Sequence, residues 1–235
     1  MRQTVARNLT FDTVQHLGKE VVSGKYTGDT KFPTEAELCT EYDVSRSVMR
    51  EAVKILTGKG LLSARPRRGT KVTDESRWNL LDPDVMNWLL NREVSVPLLV
   101  EFTDMRLGVE PEAAALAART ATPEQKDRIL AAINEMEKAS RGESDPLESD
   151  IAFHLAVLEA SNNRFMMQLD SFIETALRFS IRITNRLKGV HTGNVEEHRL
   201  VADAIVAGDA KSAHRYMLNL QEEARELFAR QLLKS

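Results

Sequence analysis

The sequence predicts a mainly α-helical chain in two parts. Three helices and a small β-hairpin occupy residues 1–77, and an all-α bundle of six to seven helices occupies residues 78–235. Two observations carry this. Apolar residues recur at intervals of three and four along nearly the whole chain, the period of a helix with one buried face. Only "LLSARPRRGTKV" breaks that rhythm with two short extended pieces around a turn.

In "TFDTVQHLGKEVVSG" (Thr10 to Gly24), Val14, Leu17, Val21 and Val22 share a face, and Gly24 marks the end. Pro33 precedes a second helix whose N-cap is Thr34; Glu37, three residues on, completes a capping box. Asp43 and Val44 form a tight turn, and Ser45 caps the third helix. That helix places Met49, Ala52, Val53 and Leu56 on one face and ends at Gly58 or Gly60. The hairpin follows, its turn carrying Arg65, Arg67, Arg68 and Gly69. Three helices and a hairpin in this order make a winged helix-turn-helix outline. Beyond "TDESRWN" only helical periods occur. Helix starts are signalled at Ser95 with Pro97, at Thr122-Pro123 with Gln125, and at Asp209 after Gly208. "RGESDP" and "KGVHTGN" are loops, and Pro111 predicts a kink or restart inside "TDMRLGVEPEAAALAART". There is no internal repeat and no low-complexity tract.

Composition narrows the function classes. No apolar run approaches the roughly 18 residues of a membrane span, and the N-terminus lacks a signal-peptide core. A single cysteine, Cys39, rules out an internal disulfide framework; it fits a reducing cytoplasm and a small core residue rather than a reactive thiol. The net charge of −3 is unevenly spread. Residues 1–78 hold 14 Lys+Arg against 10 Asp+Glu, or +4, leaving 18 against 25, or −7, for the rest. A basic head on an acidic body suits an anionic partner for the head alone.

The third helix sharpens that expectation. Arg46 and Arg50 lie four apart with Lys54 beyond them, opposite the apolar face. Such a stripe is usually a solvated surface. Here it clusters at the N-terminal half of a helix that follows a short capped helix and a tight turn, the half that enters the major groove in this motif. A second arginine patch sits on the hairpin turn. Arginine grips phosphate and pairs bidentately with guanine, so double-stranded DNA is the expected partner.

The run "PTEAELCTEYDVSRSVMREAVKILTGKGLLSARPRRGTKV" closely resembles the winged-helix domain of the GntR family of bacterial transcription factors. "MRLGVEPEAAALAA", "DIAFHLAVLEASNN" and "EHRLVADAIVAGDAKSAHRYM" resemble the FCD ligand-binding domain of its FadR subfamily. The resemblance spans nearly the whole chain. "LCTEYDVSR" with "LLDPDVMNWLL" is similar to regulators of sugar-acid, galactonate-type, catabolic operons. It implies a cytoplasmic homodimeric repressor: residues 1–77 bind a pseudo-palindromic operator, and residues 78–235 bind a small carboxylate effector and dimerise. Ser45, Arg46, Ser47 and Arg50 carry over as operator contacts, and Arg67, Arg68 and Gly69 as the wing. Ala36 stands where family members often carry arginine, so the operator should differ from theirs.

Asp150 and His154 share a helix face, and His198 begins a later helix. A carboxylate and two imidazoles suit zinc, nickel or manganese, although an Asp–His pair at this spacing often only hydrogen-bonds. The resemblance implies a metal site with one further histidine, 22 residues after His198. Leu220 is there instead; Asn219 is turned aside by about 100°, and His214 is poorly phased. A three-ligand site completed by water or effector is one reading. Direct binding of effector by Asp150, His154 and His198 is the other. Arg106 matches the subfamily's pocket arginine and suits a carboxylate, with an ion pair to Glu110 as the alternative. Asn163, Arg178 and Arg182 are assigned to the same pocket, solvation of a helix face being the alternative for the two arginines. The functional alternatives are a metal-dependent helical-bundle enzyme acting on a small organic acid, and a helical interaction module without specific DNA binding. No activated nucleophile or phosphate-cradling glycine loop supports the enzyme.

Overall fold

The computed structural model describes residues 2–27, 31–65, 69–92, 96–189 and 193–232, in two compact units, 1–94 and 95–235. In the first unit, α1 (Arg2–Val22) buries Val14, Leu17, Val21 and Val22, the face the periodicity predicts, and begins earlier than Thr10. The short α2 (Glu35–Glu41) starts with the expected capping box, in which Thr34 and Glu37 satisfy each other's backbone amides. Asp43 takes the left-handed conformation that lets the chain turn tightly into α3 (Arg46–Gly58). Met49, Ala52 and Leu56 are completely buried on its inner face. Strands β1 (Leu62–Arg65) and β2 (Gly69–Val72) then pair antiparallel, with Arg65 opposite Gly69.

The next helix, α4 (Pro83–Arg92), packs on α1 within the first unit. Residues 78–92 therefore sit with the head, although their periodicity resembles that of the helical body. The contact is specific. Gly18 leaves room for the Trp88 ring, which a Cβ at that position would meet at 2.3 Å. Trp88 Nε1 donates to Gln15 Oε1 at 2.9 Å, and Lys59 bridges Asp82 and Asp84 at 2.7 and 2.8 Å.

The second unit is a bundle of six helices among the described residues. They are α5 (Val96–Thr120), α6 (Pro123–Ser140), α7 (Pro146–Ala160), α8 (Asp170–Lys188), α9 (Val195–Ala207) and α10 (Ala210–Leu232). Alanines 113, 114, 117 and 118 line the inner side of α5, which lets α10 lie close along it. Phe153, Ile129, Ile133, Met136, Val201, Ile205 and Met217 fill the centre. The expected restart at Pro111 does not occur, because α5 is continuous and the proline is buried within it. The helix ends fall where the predicted loops put them: Asp145 caps α7, Gly189 ends α8 in the left-handed conformation, and Asn194 caps α9; residues 190–192 of the second loop lie outside the described residues. Cys39 is half-buried rather than fully in the core. No helix among the described residues is long and apolar enough to cross a membrane.

Candidate functional site

Burial of one face of α3 fixes what the other can do. With Val48, Met49, Ala52, Val53 and Leu56 inside, Ser45, Arg46, Ser47, Arg50 and Lys54 are all exposed. Ser45 caps the helix by accepting from Val48 N and lies 2.9 Å from Ser47 Oγ, so both hydroxyls stand at the helix N-terminus, where backbone amides favour anions. Arg46 has no ion-pair partner among the described residues. Arg50 Nε is held by Glu35 at 3.0 Å, a partner that sequence reasoning missed because it lies on another helix. Arg65 and Gly69 flank the hairpin tip and are exposed; Arg67 and Arg68 lie outside the described residues.

A second constellation lies inside the helical unit. Asp150 and His154 project inward from α7, and His198 projects from the first turn of α9; all three are buried. His154 Nε2 is 3.3 Å and His198 Nε2 3.7 Å from Asp150 Oδ1, and the three donor atoms lie within 4.8 Å of one another. The rings are oriented from behind. His198 Nδ1 is 2.7 Å from Asn194 O, which can only accept, so Nδ1 carries the proton. Its Nε2 lone pair has no hydrogen-bond partner among the described residues. His154 Nδ1 is 2.7 Å from Glu110 Oε2. Its Nε2 stands between Asp150 Oδ1 and Arg106 Nη2, the latter at 3.2 Å. A Cβ on Gly193 would meet Asp150 Oδ2 at 2.6 Å, so glycine there lets the backbone approach the carboxylate.

Electrostatics match this geometry. Burial alone would push the Asp150 carboxyl up, but the hydrogen bond from His154 and the imidazoles beside it hold it well below its ordinary range. Burial likewise opposes ionisation of Glu110, and Arg106 with His154 overrides it, holding the group at about 2. Burial disfavours the His154 imidazolium and Arg106 repels it, yet Glu110 and Asp150 together raise its pKa. An unpartnered buried imidazole nitrogen aimed beside a buried carboxylate, with the opposite ring nitrogen anchored, is the arrangement of a metal-ligating histidine. Asp150, His154 and His198 therefore fit a divalent cation, with Glu110 and Asn194 orienting the two rings.

Around the cluster lies a small cavity of about 60 Å³, also lined by Ser180, Thr184, Lys188 and Gln221. Arg106 lines it too, yet its guanidinium is engaged with Glu110 at 2.5 Å, so the ion-pair alternative is present in the fold. Three assigned residues stand elsewhere in this structure. Asn163 spends its side-chain oxygen on the amides of Phe165 and Met166, capping a turn. Arg178 is tied to Glu148 and Glu174, and Arg182 is exposed. None of these three lines the cavity. A larger open groove of about 700 Å³ runs along α6 and α7, floored by alanines and leucines and away from the histidines. Convergent buried polar groups, not volume, mark a recognition site, and among the described residues the buried group that could hold a metal ion is Asp150, His154 and His198.

A head with an exposed basic helix, followed by a helical unit with a buried polar cluster, is the arrangement of a DNA-binding regulator. The comparisons agree. The description "Bacterial regulatory proteins, gntR family" matches residues 10–72, and "FCD domain" matches residues 101–223. The galactonate operon transcriptional repressor of Escherichia coli (strain K12) is 33% identical over 214 residues, covering 91% of this chain and 93% of that protein. YieP, an uncharacterised HTH-type transcriptional regulator of the same organism, is 32% identical over 218 residues, covering 89% and 90%. The solved structure of Streptococcus agalactiae GntR matches with a TM-score of 0.50 at 25% identity, covering 92% of this chain and 99% of that one. The chain belongs to the GntR family of bacterial regulatory proteins, in the branch that carries an FCD domain. It is a DNA-binding transcriptional regulator, and its relatives give the enzyme alternative no support.

Proposed function

We propose that this regulator is a homodimeric repressor of a sugar-acid catabolic operon, released from a pseudo-palindromic operator by a small carboxylate bound in the helical unit. The observation that carries the DNA reading is the division of α3. Its inner face is fully committed to the core, while Ser45, Arg46, Ser47 and Arg50 face solvent with no packing duty. Arg67, Arg68 and Gly69 at the hairpin complete the interface as a wing. In a dimer, two such helices about 34–36 Å apart match successive major grooves on one side of the duplex.

Asp150, His154 and His198 would hold a divalent cation, and that cation would supply an electrophilic anchor for the effector's carboxylate and hydroxyl oxygens. Arg106 orders the cluster through Glu110 and contributes positive charge to the same wall. A cavity of about 60 Å³ is far below the roughly 300 Å³ at which small-molecule pockets begin. Admission of a sugar acid therefore moves α8 or α10, parting the Lys188–Glu223 pair that joins them at 2.8 Å. That displacement is the proposed origin of induction. One relative is named as the repressor of a galactonate operon, which favours the sugar-acid class. Mobility shift on the cognate operator, with sugar acids titrated into the complex, tests the proposal. Release by a sugar acid is expected; release only by another acid class overturns the sugar-acid assignment.

A further inference from the structure

Gln221 is buried on α10 at the edge of the cavity, one residue beyond the position where the fourth histidine was expected. Its orientation is fixed by chemistry. Gln221 Nε2 lies 2.7 Å from Glu110 Oε2, and a carboxylate can only accept, so the amide nitrogen faces Glu110. The amide oxygen is thereby directed elsewhere, and it has no hydrogen-bond partner among the described residues. The same cavity holds a second orphaned acceptor, His198 Nε2. Two buried lone pairs without donors, beside a buried carboxylate, call for a cation or for a group bound to one. Glu110 Oε2 anchors His154 and Gln221 together, so one carboxylate orients both side chains.

We propose that Gln221 Oε1 is the fourth protein donor to the cation held by Asp150, His154 and His198, an inference that rests on the metal reading of this cavity. The resulting set has two imidazole nitrogens, one carboxylate oxygen and one neutral amide oxygen. Exchanging an imidazole for an amide oxygen removes a nitrogen donor that nickel and zinc favour, while manganese accepts oxygen readily. The site's preference for Ni²⁺ and Zn²⁺ over Mn²⁺ is therefore compressed relative to a three-histidine site. Leu220, in the position of the expected histidine, lines the cavity with hydrocarbon and contributes no donor.

The test is calorimetric titration of the chelator-treated full chain with Mn²⁺, Ni²⁺ and Zn²⁺, with Mn²⁺ paramagnetic resonance as a second readout. Gln221→Met preserves side-chain length and is expected to weaken Mn²⁺ binding at least tenfold. Gln221→His, which keeps a donor for Glu110, is expected to strengthen Ni²⁺ and Zn²⁺ binding at least tenfold and Mn²⁺ binding less. Thermal unfolding in chelator separates loss of a donor from loss of the fold, and Gln221→His decides alone if the methionine variant unfolds. His191 lies outside the described residues, and His191→Ala is expected to bind like the wild type. Equal Mn²⁺ affinity in Gln221→Met and wild type, or loss of binding in His191→Ala alone, overturns the Gln221 assignment and leaves the metal reading intact. No binding of any of the three ions by the wild type overturns both.

Discussion

Glu110 shows how burial changes the meaning of a residue. On a helix surface, Arg106 and Glu110 four apart would form an exchangeable pair with little effect on stability. Here both are inside, and Glu110 accepts from Arg106, His154 and Gln221. Removing it leaves a buried guanidinium without its counter-charge, so Glu110→Ala should destabilise the protein by about 3–5 kcal/mol in urea unfolding. Loss of less than about 1 kcal/mol would show that the pair is solvated. The sign with pH follows from the depressed carboxyl. Its stabilising contribution is complete above its ordinary value of 4.5 and is lost as pH falls toward about 2. Acid unfolding should therefore be shallower in Glu110→Ala than in wild type across that window, measured by circular dichroism at fixed ionic strength. The pair's spacing was legible in the sequence, but its burial was not, because the walls that enclose it come from α7 and α10. Gln221 escaped notice for a related reason. Glutamine one residue from an expected ligand signals nothing until its amide is seen fixed on Glu110.

The head's third helix was legible because every local signal agreed. Ser45 caps it, the apolar period is unbroken, and the arginines fall on the remaining face. That division makes two separable predictions. Arg46→Ala and Arg50→Ala should each weaken operator binding by about 1–3 kcal/mol in mobility shift while leaving the thermal midpoint nearly unchanged. Unaltered operator affinity in both would remove α3 from the interface. Leu56→Ala, on the opposite face and fully buried, should cost about 2–5 kcal/mol of stability. At temperatures where that variant stays folded, its operator affinity should match wild type. The affiliation of α4 was not legible. Its period is that of any amphipathic helix, and only the fit of Trp88 over Gly18 ties it to α1. The restart expected at Pro111 was over-read for the opposite reason. Proline disfavours a helix interior locally, but α5 lies along α10 and the buried face overrides one missing amide.

At the scale of the whole molecule, the proposed function is a coupling between the helical unit and the head, and coupling is reciprocal. If an effector weakens operator binding by a given factor, operator DNA must weaken effector binding by the same factor, whatever path connects them. The small cavity bears on which state the proposed effector would favour. At about 60 Å³ it is too small for a sugar acid, so under the proposed induction binding would stabilise an opened form, with the Lys188–Glu223 pair parted. Replacing Lys188 by Met removes that tie without touching the buried cluster. The opened form then becomes easier to reach, and Lys188→Met should bind effector more tightly and release operator at lower effector concentration. Its operator affinity without effector should fall modestly, since the same equilibrium underlies both. Calorimetry of effector binding with and without saturating operator duplex, for wild type and Lys188→Met, measures all four corners of the cycle. Unchanged effector affinity in Lys188→Met would mean that α8 and α10 do not gate the cavity. Closure of the cycle with no coupling in either protein would mean that the small ligand does not control DNA binding at all.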